Sequence, residues 1–205
     1  SAGDAGHRRA STGAEAAVSA RRLWLVRHPP VAVERGICYG RSDVALAAPV
    51  AAAAATLRDK LPLGATILSS PLRRCAELAR ALSDTVTFDH RLQEMDFGEW
   101  EMRRYDTLPR ADIDLWSADV WGFRIPGGES AADMAARAWA AWEEWGASAG
   151  GDLVVVAHGG PLRVMAGRLL GLPQNDWLDI ACPQGACIKL ELAADGGWRR
   201  SEAAK

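Results

Sequence analysis

A chain of 205 residues, 49% apolar and 24% charged, has the size and composition of a globular domain with a substantial core. Its formal net charge of -2 gives no general attraction to nucleic acid or to an anionic membrane surface, so any anion binding must be local. No apolar run approaches the ~18–20 residues that span a bilayer.

Residues 1–22, SAGDAGHRRASTGAEAAVSARR, are small and polar without periodicity. They read as a flexible tail ahead of a single domain over 23–205. They hold no continuous apolar segment of a signal peptide. Arg8, Arg9, Arg21 and Arg22 would suit an organellar transit sequence, but Asp4 and Glu15 speak against one, and a cytoplasmic location is expected.

LWLV (23–26) has the β character of a buried strand, and it ends by presenting Arg27 and His28 before two prolines. VAAAAATLRDKL (50–61) reads as a helix opened near Pro49, with Pro62 and Gly64 beyond its end. ATILSS (65–70) is a second strand and PLRRCAELARAL (71–82) a helix, with Leu72, Cys75, Ala76, Ala79 and Leu82 on one face. VTFD (86–89) is a short strand. ESAADMAARAWAAWEEWGAS (129–148) is a long helix whose Met134, Ala138, Trp142 and Trp145 form a stripe suited to core packing. DLVVVAHGG (152–160) is the cleanest buried strand, a helix follows from Pro161 to about Leu170, and CIKLEL (187–192) closes the set. Strands alternating with helices, their cores continuously apolar, predict an α/β three-layer sandwich: a mostly parallel sheet with helices on both faces.

Cys38, Cys75, Cys182 and Cys187 form no CxxC pair, and none sits at ligand spacing from His7, His28, His90 or His158. Reduced thiols, no metal and no other cofactor are expected.

Two strands end in histidine, at His28 and His158. In open α/β sheets the ligand crevice lies outside the carboxyl ends of the strands, where chemistry is usually done. A third strand–helix junction, SSPLRR (69–74), adds arginine, whose planar fork suits a phosphate.

VRH, SSPLRR, QEMDFGEWE, PGGES and VVAHGG occur here in the order seen in the histidine phosphatases, the phosphoglycerate mutase-like superfamily, and the chain resembles that family from Leu23 to about Leu192. GICYGRSDVAL (36–46) is most similar to the α-ribazole phosphatase branch. The resemblance implies that His28 is the nucleophile that takes the phosphoryl group, and that Arg27, Arg74 and His158 bind its oxygens. Gly159 of the same motif and Arg41 join the implied substrate contacts, and Glu94 falls on the general acid. Motif register selects Arg74 over Arg73, which reads as a solvated helix residue. Asp96, Glu99 and Glu101 read as surface charges, and Ser130 as a helix cap.

The chain departs from the pattern at Pro29 and Pro30 after the nucleophile, and at Met102 where many relatives have glycine. Pro29 supplies no N–H. The segment around 95–127 is expected to form a short cap, with Trp100, Tyr105, Trp116, Trp121 and Phe123 as candidates for an apolar wall.

The implied activity is a metal-independent phosphomonoesterase working through a phosphohistidine, with α-ribazole 5′-phosphate as the expected substrate. A broad-specificity phosphatase is the first alternative and a phosphoglycerate mutase the next. A phosphate-binding module without turnover would be expected to lack one of the histidines, arginines or the acid, and all five are present. The expected partner is a small phosphomonoester; the sequence leaves the oligomeric state open, a homodimer included.

Overall fold

The computed structural model describes residues 21–201, so the expected tail falls outside them up to residue 20. Arg22, assigned above to that tail, already opens the first strand and pairs with Asp152 at 2.5 Å. Six strands form one sheet: β1 (Arg22–Arg27), β2 (Thr66–Ser69), β3 (Val86–Phe88), β4 (Leu153–Ala157), β5 (Cys187–Leu192) and β6 (Trp198–Arg200). Their spatial order is β3-β2-β4-β1-β5-β6. The first four strands run parallel, β5 lies antiparallel to β1, and β6 antiparallel to β5. The predicted mostly parallel sheet is therefore observed. β6 was not predicted; three residues are too short for a periodic signal, although the Asp195-Gly196 turn before them was a usable cue.

Five helices are α1 (Ala51–Arg58), α2 (Arg73–Leu82), α3 (Arg110–Ala118), α4 (Ala131–Ser148) and α5 (Gly159–Leu169). From β1 to β3 the chain steps one way across the sheet, and after β3 it steps back. Because parallel crossovers are right-handed, this reversal puts α1 and α2 on one face and α4 on the other, where α5 joins α4 over the same apolar cluster. The period of two along the strands sorts the core accordingly. Trp24, Val26, Ile67, Val154 and Val156 pack with Ala54, Leu57, Cys75, Leu78 and Ala79. Leu23, Leu25, Leu68, Leu153 and Val155 face Ala141, Leu162, Met165 and Ala166. Trp142 and Trp145 pack against this second cluster, as their helical stripe predicted.

Ser130 caps α4 in a reciprocal capping box with Asp133. α3, unpredicted, has no fully buried residue and leaves Leu115 exposed; it lies in the expected cap and packs through Ile113 and Trp116. Trp100 is 1% exposed, stacks on Phe123 at 6.1 Å between centroids, meets Trp116 edge to face at 6.0 Å, and anchors this third apolar cluster. Among the described residues no helix is long and apolar enough to cross a membrane.

Candidate active site

β1 and β4 are adjacent parallel strands with Arg27 opposite Ala157. The residues that follow each strand therefore emerge side by side, and the His28 and His158 rings lie 5.2 Å apart between centroids. β2, on the other side of β4, delivers Ser70 and the start of α2 to the same sheet edge.

His28 is 2% exposed, and its Nδ1 lies 2.7 Å from the carbonyl oxygen of Pro29. A carbonyl only accepts, so Nδ1 carries the proton and Nε2 keeps a bare lone pair. Burial pushes the His28 pKa down to about 3, against the raising effect of the Pro29 bond and with help from the Arg74 and Arg27 charges. The ring is thus neutral and held in one tautomer, as a nitrogen nucleophile requires. The proline that supplies no N–H supplies this carbonyl instead. His158, fully buried, sets Nε2 at 2.8 Å from Ser70 Oγ and at 3.4 Å from Cys75 Sγ. Burial, then Arg74 and His28, hold it well below the usual histidine range.

The arginines are fixed by neutral acceptors. Arg74, 0% exposed, donates to the carbonyls of Gly40 at 2.5 Å and Ser42 at 2.8 Å, and its guanidinium lies 5.4 Å from the Tyr39 ring centroid. Arg27 donates to the Cys182 carbonyl at 2.7 Å. Carbonyls position a guanidinium without cancelling its charge. The Nε atoms of both Arg27 and Arg74 are buried without a partner. A buried unpaired donor is costly, so this pair fits a pocket whose remaining acceptors come from an anion. Arg73 by contrast is exposed and paired with Glu77.

Glu94 accepts from the Met95 amide at 3.0 Å and the Gly160 amide at 3.2 Å. A Cβ on Gly160 would stand 2.4 Å from Glu94 Oε1, so a glycine is what lets the carboxylate approach α5. Its backbone is held from α4: Arg137 donates to the carbonyls of Arg91, Gln93 and Glu94 while pairing with Glu129 at 2.5 Å. The sequence reading missed Arg137, which had only its place on a helix to speak for it.

Glu101 was expected to be a surface charge, and the structure corrects this. It accepts backbone bonds from Gly40, Arg41, Ser42 and Phe97 at 2.8–3.2 Å and a further bond from the Ser42 hydroxyl. Burial raises its pKa, but the bonds from Ser42, Gly40, Phe97 and Arg41 outweigh that and hold it below the usual carboxylate range. Asp96 is partly buried, accepting from the Gly98 amide and pairing with Arg41, whereas Glu99 is exposed as expected. Arg41 spends its guanidinium on Asp96 at 3.2 Å, with 42% of its side chain exposed.

A cavity of about 510 Å³ opens over this edge. Arg27, His28, Arg74 and Glu94 line it; Arg41, His158 and Gly159 do not. Most of the remaining wall is apolar or aromatic, with Tyr39, Phe97, Tyr105, Trp116 and Trp121 contributing rings. Arg163 is the other charged residue on its surface. Among the described residues no group of three His, Cys, Asp or Glu side chains is placed to hold a metal ion.

Compared with known proteins, the chain matches the family model described as histidine phosphatase superfamily (branch 1) over residues 23–202. It is 35% identical over 180 residues to the glucosyl-3-phosphoglycerate phosphatase of Mycolicibacterium vanbaalenii, with 77% of each chain covered. Among solved structures it resembles the alpha-ribazole phosphatase from Shigella flexneri, with 26% identity, a TM-score of 0.77, and coverage of 88% of this chain and 94% of that one. It also resembles a mycobacterial glucosyl-3-phosphoglycerate phosphatase solved with inorganic phosphate, at 30% identity and a TM-score of 0.67, covering 89% and 96%.

Proposed function

The chain belongs to the histidine phosphatase superfamily and is a phosphatase, and from that premise we propose that it hydrolyses phosphomonoesters through a phosphoryl group carried on His28 Nε2. The observation that carries the reading is a neutral imidazole with its free nitrogen beside two guanidiniums whose Nε atoms lack acceptors. Phosphoryl transfer asks mainly for positioning and charge stabilisation, and this cup offers both without a metal. In the first step Nε2 attacks phosphorus, Glu94 gives its proton to the departing ester oxygen, and Arg27 and Arg74 hold the phosphoryl oxygens. His158 packs against His28 and keeps its ring in place. In the second step Glu94, now ionised, takes a proton from water, which attacks the phosphohistidine and releases phosphate.

The cavity's size and aromatic wall support a leaving group that is bulky and carries a ring, rather than a small charged triose. α-Ribazole 5′-phosphate, expected from the sequence, is one ester of this kind. A glycosylated phosphoglycerate, the substrate in the name of the 35% identical relative, is another. Trp116 and Trp121 stand in the wall where such a ring would rest.

The test is a phosphoenzyme trap with labelled p-nitrophenyl phosphate, followed by specificity constants on a panel holding both ring-bearing esters and 3-phosphoglycerate, with and without EDTA. Wild type should form an acid-labile adduct that His28→Gln lacks, turn over in EDTA, and favour a ring-bearing ester. Labelling of the mutant at wild-type levels would move the nucleophile elsewhere. Efficient interconversion of phosphoglycerates would make the protein a mutase.

A further inference from the structure

We propose that Arg163 forms a second anion subsite next to the phosphoryl pocket, so that the preferred substrates are phosphomonoesters bearing a carboxylate close to the ester. The proposal deepens the reading above and rests on it.

Arg163 stands in the first turns of α5 and lines the cavity. Its Nε donates to the Ile180 carbonyl at 2.9 Å, which fixes the plane of the fork. Its two terminal nitrogens have no hydrogen-bond partner among the described residues, and no carboxylate pairs with it. A planar edge with two free donors matches a carboxylate bidentately.

Arg163 also lies against Arg27. A Cβ built on Gly159 would be 2.8 Å from a terminal nitrogen of Arg163 and 3.3 Å from Cζ of Arg27, so both guanidiniums crowd the same small space. Residues 180–182 hold the two together, since Ile180 anchors one and Cys182 the other. Like charges this close in a partly desolvated cavity repel, and an anion between or beside them relieves the repulsion.

Charge matching selects the ligand. The cavity wall carries three arginines, Arg27, Arg74 and Arg163, of which Arg27 and Arg74 belong to the phosphoryl pocket. A phosphomonoester dianion neutralises two of them. One carboxylate neutralises the third; a second phosphate would overshoot. The nearness of Arg163 to Arg27 places that carboxylate within a few bonds of the ester. α-Ribazole 5′-phosphate has no group for this position, whereas a glycosylated phosphoglycerate has both the ring and the carboxylate.

The experiment compares two pairs that differ at the carboxylate: 3-phosphoglycerate with glycerol 3-phosphate, and phosphoserine with phosphoethanolamine. Within each pair the ratio of kcat/KM does not depend on the fraction of folded enzyme. Wild type should favour the acid by about tenfold or more, the size of one charge-assisted contact. Arg163→Gln should bring both ratios close to one. Gly159→Ala, which pushes the fork aside without removing its charge, should lower them as well. If a pair is not turned over, the competitive inhibition constants of its members against p-nitrophenyl phosphate hydrolysis give the same ratio. A wild-type ratio near one, or a ratio that Arg163→Gln leaves intact, overturns the subsite. An equal loss on both members of each pair would assign Arg163 to the phosphoryl pocket itself. Failure of the parent reading shows separately, as the absence of a His28-dependent phosphoenzyme.

Discussion

Glu101 holds Arg74 at one remove. Its carboxylate gathers the amides of Gly40, Arg41 and Ser42, and the carbonyls of Gly40 and Ser42 then clamp the Arg74 guanidinium. Asp43, the next residue of the loop, accepts from the Arg73 amide at 2.6 Å and so ties the same loop to the first residue of α2. An acidic residue thereby positions a cation without neutralising it, because the peptide groups between them pass on geometry and not charge.

Glu101→Gln puts an amide NH2 among donors and loosens this loop. We expect kcat/KM to fall about tenfold or more, mostly through KM, and the inhibition constant of inorganic phosphate to rise in step. Kinetic constants on p-nitrophenyl phosphate, with phosphate as inhibitor, check this. A drop in melting temperature with both constants unchanged would reduce Glu101 to a structural role.

Glu94→Gln should discriminate by leaving group. An alkoxide needs the proton and nitrophenolate scarcely does, so phosphoenzyme formation should slow by ~10²–10⁴-fold on alkyl phosphates and far less on aryl ones. Rapid-mixing measurement of the first step isolates this from the later role as base. Equal slowing on both classes would remove Glu94 as the acid.

His28 and His158 make the fold acid-sensitive. Both titrate far lower when folded than the ordinary value of 6.5, so below that value the unfolded chain binds protons that the native chain refuses. Their contribution is present in full above about pH 6.5 and is lost progressively as pH falls toward 3, on the order of several kcal/mol for His28. Urea midpoints measured from pH 7 to pH 4 should fall, and the fall should be shallower in His28→Gln. Parallel slopes for the two proteins would contradict the buried, neutral imidazole.

Met102 has φ +60°, a left-handed backbone that disfavours any residue with a Cβ, and its side chain is half-exposed. Met102→Gly should relieve strain of ~1–2 kcal/mol at an entropic cost of ~0.5–1 kcal/mol. A net gain of roughly 0.5–1 kcal/mol corresponds to about 1–4 °C in melting temperature for a domain of this size. Thermal unfolding decides it, and a lower melting temperature would mean that the side chain contributes more than the backbone loses.

The sequence by itself determined the layers and the sheet edge at which the two strand-end histidines meet. Continuous apolar strands such as LVVVA specify burial on both faces, and a strand has one carboxyl end, so LWLVRH and LVVVAH had to deliver Arg27, His28 and His158 to a sheet edge. In the fold the period of two sends Leu23 and Leu25 to one face of the sheet and Trp24 and Val26 to the other. These are local regularities, with periods of two or about four residues, and they can be read in one pass along the chain.

Only the tertiary structure decided what each charge does. Glu101 meets Gly40, Arg41 and Ser42 59–61 residues away, Arg137 meets the backbone of Glu94 at a separation of 43, and Arg163 is oriented by a carbonyl 17 residues on. Such bonds run to backbone groups, which every residue has, so nothing in the partner's identity announces them. Arg41 shows the converse: within GICYGRSD it read as a substrate contact, yet the fold sets Asp96 against its guanidinium. A charged side chain commits to substrate, to scaffold or to solvent according to which partners the packed chain brings within hydrogen-bond reach of it, and that reach is a property of the assembled fold.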